Sequence, residues 1–158
     1  FYRRVFAAMG RAYTDAQYDR LTLSQTQAGK YGLFDDVKEF LARWQGQIAL
    51  GIVSDAPPST RTILREAGVL QYIDGFTFSF QVGCCKPEKA IYQRTLDLLG
   101  VAAADAVFVD DVIGNLRGAQ ALGMRCIQMR RNMPARYRTD AQWDGPVAHN
   151  FAELEALL

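Results

Sequence analysis

Apolar runs and helical stripes alternate along most of this chain. The runs Ile48-Ala49-Leu50-Gly51-Ile52-Val53, Phe76-Thr77-Phe78-Ser79-Phe80, Ala106-Val107-Phe108-Val109-Asp110 and Arg125-Cys126-Ile127-Gln128-Met129 each predict a strand, with a short one near 147–149. Between them the period changes. Val37, Phe40, Leu41 and Trp44 recur at helical spacing, a stripe that reads as core packing. Pro57-Pro58-Ser59-Thr60 opens a helix to about Ala67, Pro87 opens one to Leu99, Gly114 leads one to Leu122, and a last begins at Phe151. Gly68, Gly100 and Gly123 stand where three of these helices should stop. Strands alternating with helices predict an α/β fold, a doubly wound parallel sheet covered on both faces.

Residues 1–33 read differently. Tyr2, Val5, Phe6 and Met9 share a helical face, Asp15 to Leu21 starts a second helix, and Gly29 and Gly32 break the pattern. The expected organisation is a helical segment at 1–33 and an α/β core at 34–158.

Composition narrows the class. Of 158 residues 49% are hydrophobic and 22% charged, an ordinary mixture for a folded domain with its own core. A net charge of +1 implies no general attraction to nucleic acid or membrane. Arg130, Arg131, Arg136 and Arg138 form a local basic cluster, either a solvated loop or a contact for an anion. Cys84, Cys85 and Cys126 make no disulfide framework and lack metal-ligand spacing, which fits a reducing cytoplasm. No apolar run has the length of a membrane span. The first residue is Phe1 rather than methionine, so the chain is expected to be trimmed or cut from something longer.

Candidate chemistry sits at the strand ends, where open α/β sheets bind ligands. Ser54 closes the first run; its hydroxyl can donate to a phosphate oxygen, or simply form a turn. Asp55 is its competitor as helix cap. Lys86, in Gly83-Cys84-Cys85-Lys86-Pro87-Glu88, can neutralise a phosphoryl group and a neighbouring carboxylate, or stand in solvent. Pro87 at a helix start limits where that lysine points. Asp110 and Asp111 close the third run. Two like charges about 4 Å apart cost roughly 1 kcal/mol in water and about 4 kcal/mol at an intermediate dielectric. A bound divalent cation removes that cost, and hard oxygen donors suit magnesium. The alternative is one solvated carboxylate and one helix cap. Asn115 lies where a helical turn brings its amide back toward the pair. His149, the one histidine, has no serine or cysteine with triad-like surroundings and reads as a surface or edge residue.

With these residues in order, the chain resembles the haloacid dehalogenase (HAD) superfamily, in its subgroup of small phosphatases and dehalogenases. Leu50 to Asp55 is similar to the second motif of that family. Gly83 to Glu88 followed by Ile91-Tyr92 is similar to the third. Val109-Asp110-Asp111-Val112-Ile113-Gly114-Asn115, with Gly118-Ala119 and Gly123-Met124, resembles the fourth. The resemblance implies a hydrolase, most simply a magnesium-dependent phosphatase acting on a small phosphorylated substrate through an aspartyl-phosphate. It implies that Ser54, with Asp55, binds phosphate, that Lys86 steadies the nucleophile and the phosphoryl group, and that Asp110 and Asp111 hold Mg2+, with Asn115 behind them. It implies that residues 1–33 are part of a helical cap. The family's first motif, a strand ending in Asp-x-Asp, has no counterpart here. Asp35-Asp36 follows the cap-like segment and begins a helix. The nucleophile and the central first strand are therefore expected to be missing, leaving either a truncated, inactive enzyme or a rearranged sheet. A non-catalytic phosphate- or partner-binding relic and a 2-haloacid dehalogenase are the alternatives; the acidic pair argues against the second, which needs no metal.

Overall fold

A computed structural model of the chain describes residues 7–12, 14–17, 20, 32–131 and 142–158. Most of the expected cap at 1–33, together with Arg136 and Arg138, lies outside the described residues. The core has five strands, β1 (Gly51–Ser54), β2 (Gly75–Phe78), β3 (Val107–Asp110), β4 (Arg125–Met129) and β5 (Val147–Ala148). Its helices are α1 (Val37–Trp44), α2 (Thr60–Glu66), α3 (Ser79–Val82), α4 (Lys89–Leu99), α5 (Ile113–Gln120) and α6 (Phe151–Glu155). All strand pairings are parallel, as the alternation of elements predicts.

The sheet is in two pieces. β1 pairs with β2, and β3, β4 and β5 pair in that order; β1 and β3 are not hydrogen-bonded to each other. Both pieces nevertheless share the same two apolar layers. One layer holds Phe40 and Leu41 of α1, Val69, Ile127, Ala148 and Leu154 of α6, with Ile52 of β1 and Val107 and Val109 of β3 packed against it. The other holds Ile91 and Tyr92 of α4, Phe108 of β3, Leu116 and Ala119 of α5 and Cys126, with Val53 of β1 against it. Successive strand residues thus face opposite layers, the period-two rule acting on a sheet buried on both sides.

Two expected strands are shorter than their apolar runs. Ile48 to Leu50 precede β1, whose position is set by register: Gly51 lies opposite Gly75. A Cβ on either glycine would come within 2.9 Å of the Leu99 side chain, so the end of α4 packs directly on this glycine pair. β2 stops at Phe78, and Ser79 and Phe80 turn into α3 instead of extending the strand. The Gln81 side chain accepts from the Phe78 backbone N–H at 3.0 Å, fixing that turn. The expected helices at 37–44, 87–99, 114–122 and from 151 appear with small shifts at their ends.

A polar clamp ties the last elements to α1. Arg131 donates to both carboxylate oxygens of Asp36, at 2.9 and 2.8 Å, and Asp36 also accepts from the backbone N–H of Phe151 at 2.9 Å. The Arg131 guanidinium lies 4.3 Å from the Phe34 ring centroid and 5.2 Å from that of Phe151. Arg130 donates to the Gln128 Oε1 at 2.7 Å. Both described arginines of the basic cluster are therefore engaged within the fold. Burial pushes the Asp36 carboxyl up, but Arg131 and the Phe151 N–H outweigh it, so its pKa lies below the ordinary 3.8. A depressed carboxylate stabilises the fold above its unfolded pKa and loses that contribution as pH falls through the folded value. Arg131→Ala should lower Tm at pH 7, and the gap from wild type should close below pH 3.8. A gap that stays constant to pH 2 in calorimetric scans would assign the loss to packing on the two rings rather than to the ion pair.

Among the described residues, no helix is long and apolar enough to cross a membrane. The three cysteines are free, with Cys126 buried and Cys85 exposed. His149 is exposed beside α6, its Nδ1 2.9 Å from Glu153 Oε2.

Candidate active site

The carboxyl ends of β1 and β3 and the loop before α4 bring three chain segments together. At the centre is an ion pair. Lys86 Nζ donates to Asp110 Oδ2 at 2.7 Å, with the lysine side chain 12% and the aspartate side chain 7% exposed. Asp110 Oδ1 accepts from the Val112 N–H at 2.8 Å and from Asn115 Nδ2 at 3.1 Å. A nearly buried carboxylate needs such partners, because leaving it unpaired costs several kcal/mol.

Each partner is itself held. The Lys86 backbone N–H donates to Asp55 Oδ1 at 2.9 Å, which links the end of β1 to the lysine loop. Glu88 closes that loop: its N–H donates to the Cys85 carbonyl at 2.8 Å, and its Oε1 accepts from the Cys85 N–H at 3.1 Å. The Lys86–Pro87 peptide is cis. On the other side, buried Tyr92 of α4 donates its hydroxyl to the Asn115 carbonyl at 2.9 Å. Burial raises the Tyr92 pKa far above the ordinary value, so the phenol keeps its proton and remains a donor. Gln128 of β4, also buried, donates to the Asp111 carbonyl at 3.2 Å.

Asp111 is more exposed than Asp110. Partial burial raises its carboxyl pKa, and the neighbouring Asp110 carboxylate raises it further, with Lys86 acting in the opposite direction. This is the repulsion anticipated for two adjacent acids. Ser54 is half-buried at the last position of β1, in register with Phe78. Its hydroxyl makes no hydrogen bond to the Lys86–Asp110 pair among the described residues.

The structure thus joins Lys86, Asp110, Asn115 and Asp55 by direct bonds, and Ser54 and Asp111 stand at the carboxyl ends of β1 and β3, in separate pieces of the sheet. It also gives two of the expected residues specific bonds. The Asp55 carboxylate is occupied by the Lys86 N–H, so a phosphate would meet its backbone rather than its acid. Asn115 points its amide N–H at Asp110, where it orients that carboxylate. Tyr92, Gln128 and Glu88 were not picked out by their chemistry in the sequence. Gln128 carries a signal, a lone polar residue inside the apolar run Cys126 to Met129; Glu88 and Tyr92 fall within the stretch similar to the third motif, but the bonds they make are not readable from it.

The donor set suits a hard cation. Asp111, the more exposed acid, offers its carboxylate oxygens, whereas those of Asp110 already accept from Lys86, the Val112 N–H and Asn115; no group of three or more acidic, cysteine or histidine side chains is poised for a metal among the described residues. Magnesium commonly takes one or two carboxylates and completes its octahedron with water and substrate phosphate, so Asp111 fits as a direct ligand and Asp110 as a partner through water.

Comparison with known proteins gives the family. A family profile of haloacid dehalogenase-like hydrolases matches residues 8–123, and the chain belongs to that family. A phosphatase of Mycobacterium tuberculosis is 31% identical over 100 residues, covering 63% of this chain and 42% of its own length. The enolase-phosphatase E1 of Sorangium cellulosum is 29% identical over 125 residues, covering 77% of this chain and 53% of its own. The chain therefore spans about half the length of these relatives. Among solved structures, a HAD phosphatase from Thermococcus onnurineus superposes with a TM-score of 0.71 at 28% identity, covering 79% of this chain and 57% of that one. The protein is thus a hydrolase by family, with phosphatases among its relatives.

Proposed function

We propose that this chain carries the phosphate- and magnesium-binding part of a phosphomonoester phosphatase acting on a small phosphorylated metabolite. The observation that carries the reading is the Lys86–Asp110 pair, 2.7 Å apart and almost wholly removed from solvent at the carboxyl ends of the strands. Lys86 neutralises a phosphoryl oxygen while remaining tied to Asp110. The Ser54 hydroxyl and the backbone after β1 donate to the other oxygens. Asp111, with Asp110 acting directly or through water, would hold magnesium, which would supply the positive charge that offsets the acidic pair and the phosphate. Asn115, through its bond to Asp110, keeps that carboxylate turned toward the site.

The sequence holds no Asp-x-Asp, so we assign the attacking carboxylate of an aspartyl-phosphate mechanism to none of these 158 residues. The proposed reaction draws it from a strand outside them. Support comes from the relatives, of which this chain spans about half, and from the break between β1 and β3. In that reaction a carboxylate oxygen attacks phosphorus, the ester oxygen leaves as an alcohol after taking a proton from a general acid outside these residues, and water then cleaves the acyl phosphate, releasing phosphate and restoring the carboxylate. Residues 1–33 are assigned to the cap over this site.

Isothermal titration tests the binding half. The chain should take up magnesium, and inorganic phosphate should bind more tightly when magnesium is present. Absence of phosphate heat at millimolar concentration, with and without magnesium, defeats the reading. A second reading, a non-catalytic phosphate binder, draws on the absent Asp-x-Asp; magnesium-dependent turnover of an aryl phosphate by this chain alone would exclude it.

A further inference from the structure

Helix α5 carries two glycines, Gly114 and Gly118, and their surroundings differ completely. A Cβ built on Gly114 meets nothing within 4 Å. A Cβ on Gly118 would fall 2.6 Å from Pro87 Cβ, 2.7 Å from the Pro87 carbonyl oxygen and 3.1 Å from its Cα. The obstacle at Gly118 is largely backbone, which cannot swing aside as the end of a flexible side chain can. Neither glycine has a positive φ, so backbone conformation requires glycine at neither place. Only the close approach of the lysine loop explains it at Gly118.

That approach bears on the site. Pro87 directly follows Lys86, and α5 also carries Asn115, which bonds Asp110. Asp110 is in turn the partner of Lys86. The Gly118–Pro87 contact therefore sets how near the lysine loop sits to the helix that orients the lysine's own partner. Tyr92 ties α4, the helix that follows the lysine loop, to α5 through the Asn115 carbonyl.

We propose that Gly118 is a positioning residue: its missing side chain is the seat for Pro87, and that seat sets the Lys86–Asp110 ion pair. Its functional meaning rests on the phosphate-site reading above, whereas its test does not. Glycine inside a helix is normally improved by alanine, so the two sites give opposite predictions for the same chemical change. Gly114→Ala should raise Tm by about 2–4 °C and leave the pair intact. Gly118→Ala should lower Tm and disturb the pair.

The pair can be read directly in chain labelled with 15N-lysine. There are four lysines, and the Lys86 ammonium signal is assigned by its loss in Lys86→Arg. Burial and the bond to Asp110 slow its exchange with water enough to make it visible. The expected result is an unchanged Lys86 signal in Gly114→Ala and a shifted or lost one in Gly118→Ala, whose phosphate affinity falls about tenfold or more, or 1.4 kcal/mol and above. A folded Gly118→Ala chain with the wild-type Lys86 signal overturns the proposal. If Gly118→Ala does not fold alone, it is combined with Gly114→Ala, whose added helix stability offsets the loss, and read at low temperature. Loss of the Lys86 signal there supports the proposal, and its retention overturns it. Should wild type bind no phosphate, the phosphatase reading fails while the ammonium signal still decides the role of Gly118.

Discussion

Lys86→Ala lowers the unfolding free energy of the chain by about 3 kcal/mol in magnesium-free buffer, near the lower end of what removing one partner of a buried ion pair costs. The reason is the carboxylate left behind. Asp110 is 7% exposed, and without the ammonium its Oδ2 loses its hydrogen-bond donor. Oδ1 keeps the Val112 N–H and the Asn115 amide, which limits the loss. Asp111 stands next to it and adds repulsion. Magnesium should shrink the deficit, because a cation on the acidic pair takes over the neutralisation. Asp110→Asn combined with Lys86→Ala should recover part of the stability, since no buried charge then remains. Urea unfolding with an unchanged m-value measures all three. A loss below about 0.5 kcal/mol would mean that the pair behaves as a solvent-screened surface contact.

The second large effect is expected at Leu116→Ala, about 3 kcal/mol within the range for buried leucines. Leu116 is fully buried among Ile91, Tyr92, Phe108 and Ala119. It anchors α5 to β3 between Asn115 and Gly118, the two residues through which that helix acts on the site. The cavity loosens the helix as well as the core, so phosphate affinity should fall along with stability. Leu116→Met, which conserves volume, should keep both to within about 1.5 kcal/mol. Normal phosphate binding in a folded Leu116→Ala chain would show that the site does not depend on how α5 is packed.

Much of the architecture was legible before any coordinates. The period change between Val37–Trp44 and the apolar run before Ser54 separates helix from strand, because side chains recur every 3.6 residues in one and every two in the other. The same logic located α4, α5 and α6. It failed at Ser79-Phe80, where the apolar alternation continues but the chain turns into α3, held by the Gln81 side chain on the Phe78 N–H. It also overextended β1, because Ile48 to Leu50 are as apolar as a strand. Pairing with Gly75, not hydrophobicity, decides where β1 begins.

Ser54, Asp110 and Asp111 stand out as candidates because they are polar groups at the ends of apolar runs, Lys86 because it precedes a proline at a helix start, and Asn115 because a helical turn brings it back toward the acidic pair. Their order along the chain also matched a known set of motifs. What links them was not legible. Asp55 on the Lys86 N–H, Tyr92 on the Asn115 carbonyl and Pro87 against Gly118 join residues 31, 23 and 31 positions apart. The local pattern of one sequence records what each residue prefers along its own element. Which backbones come within van der Waals reach, and which buried charge answers which, depends on how the elements stack. Only the folded chain decides that, because desolvation and steric overlap act through space and not along the chain.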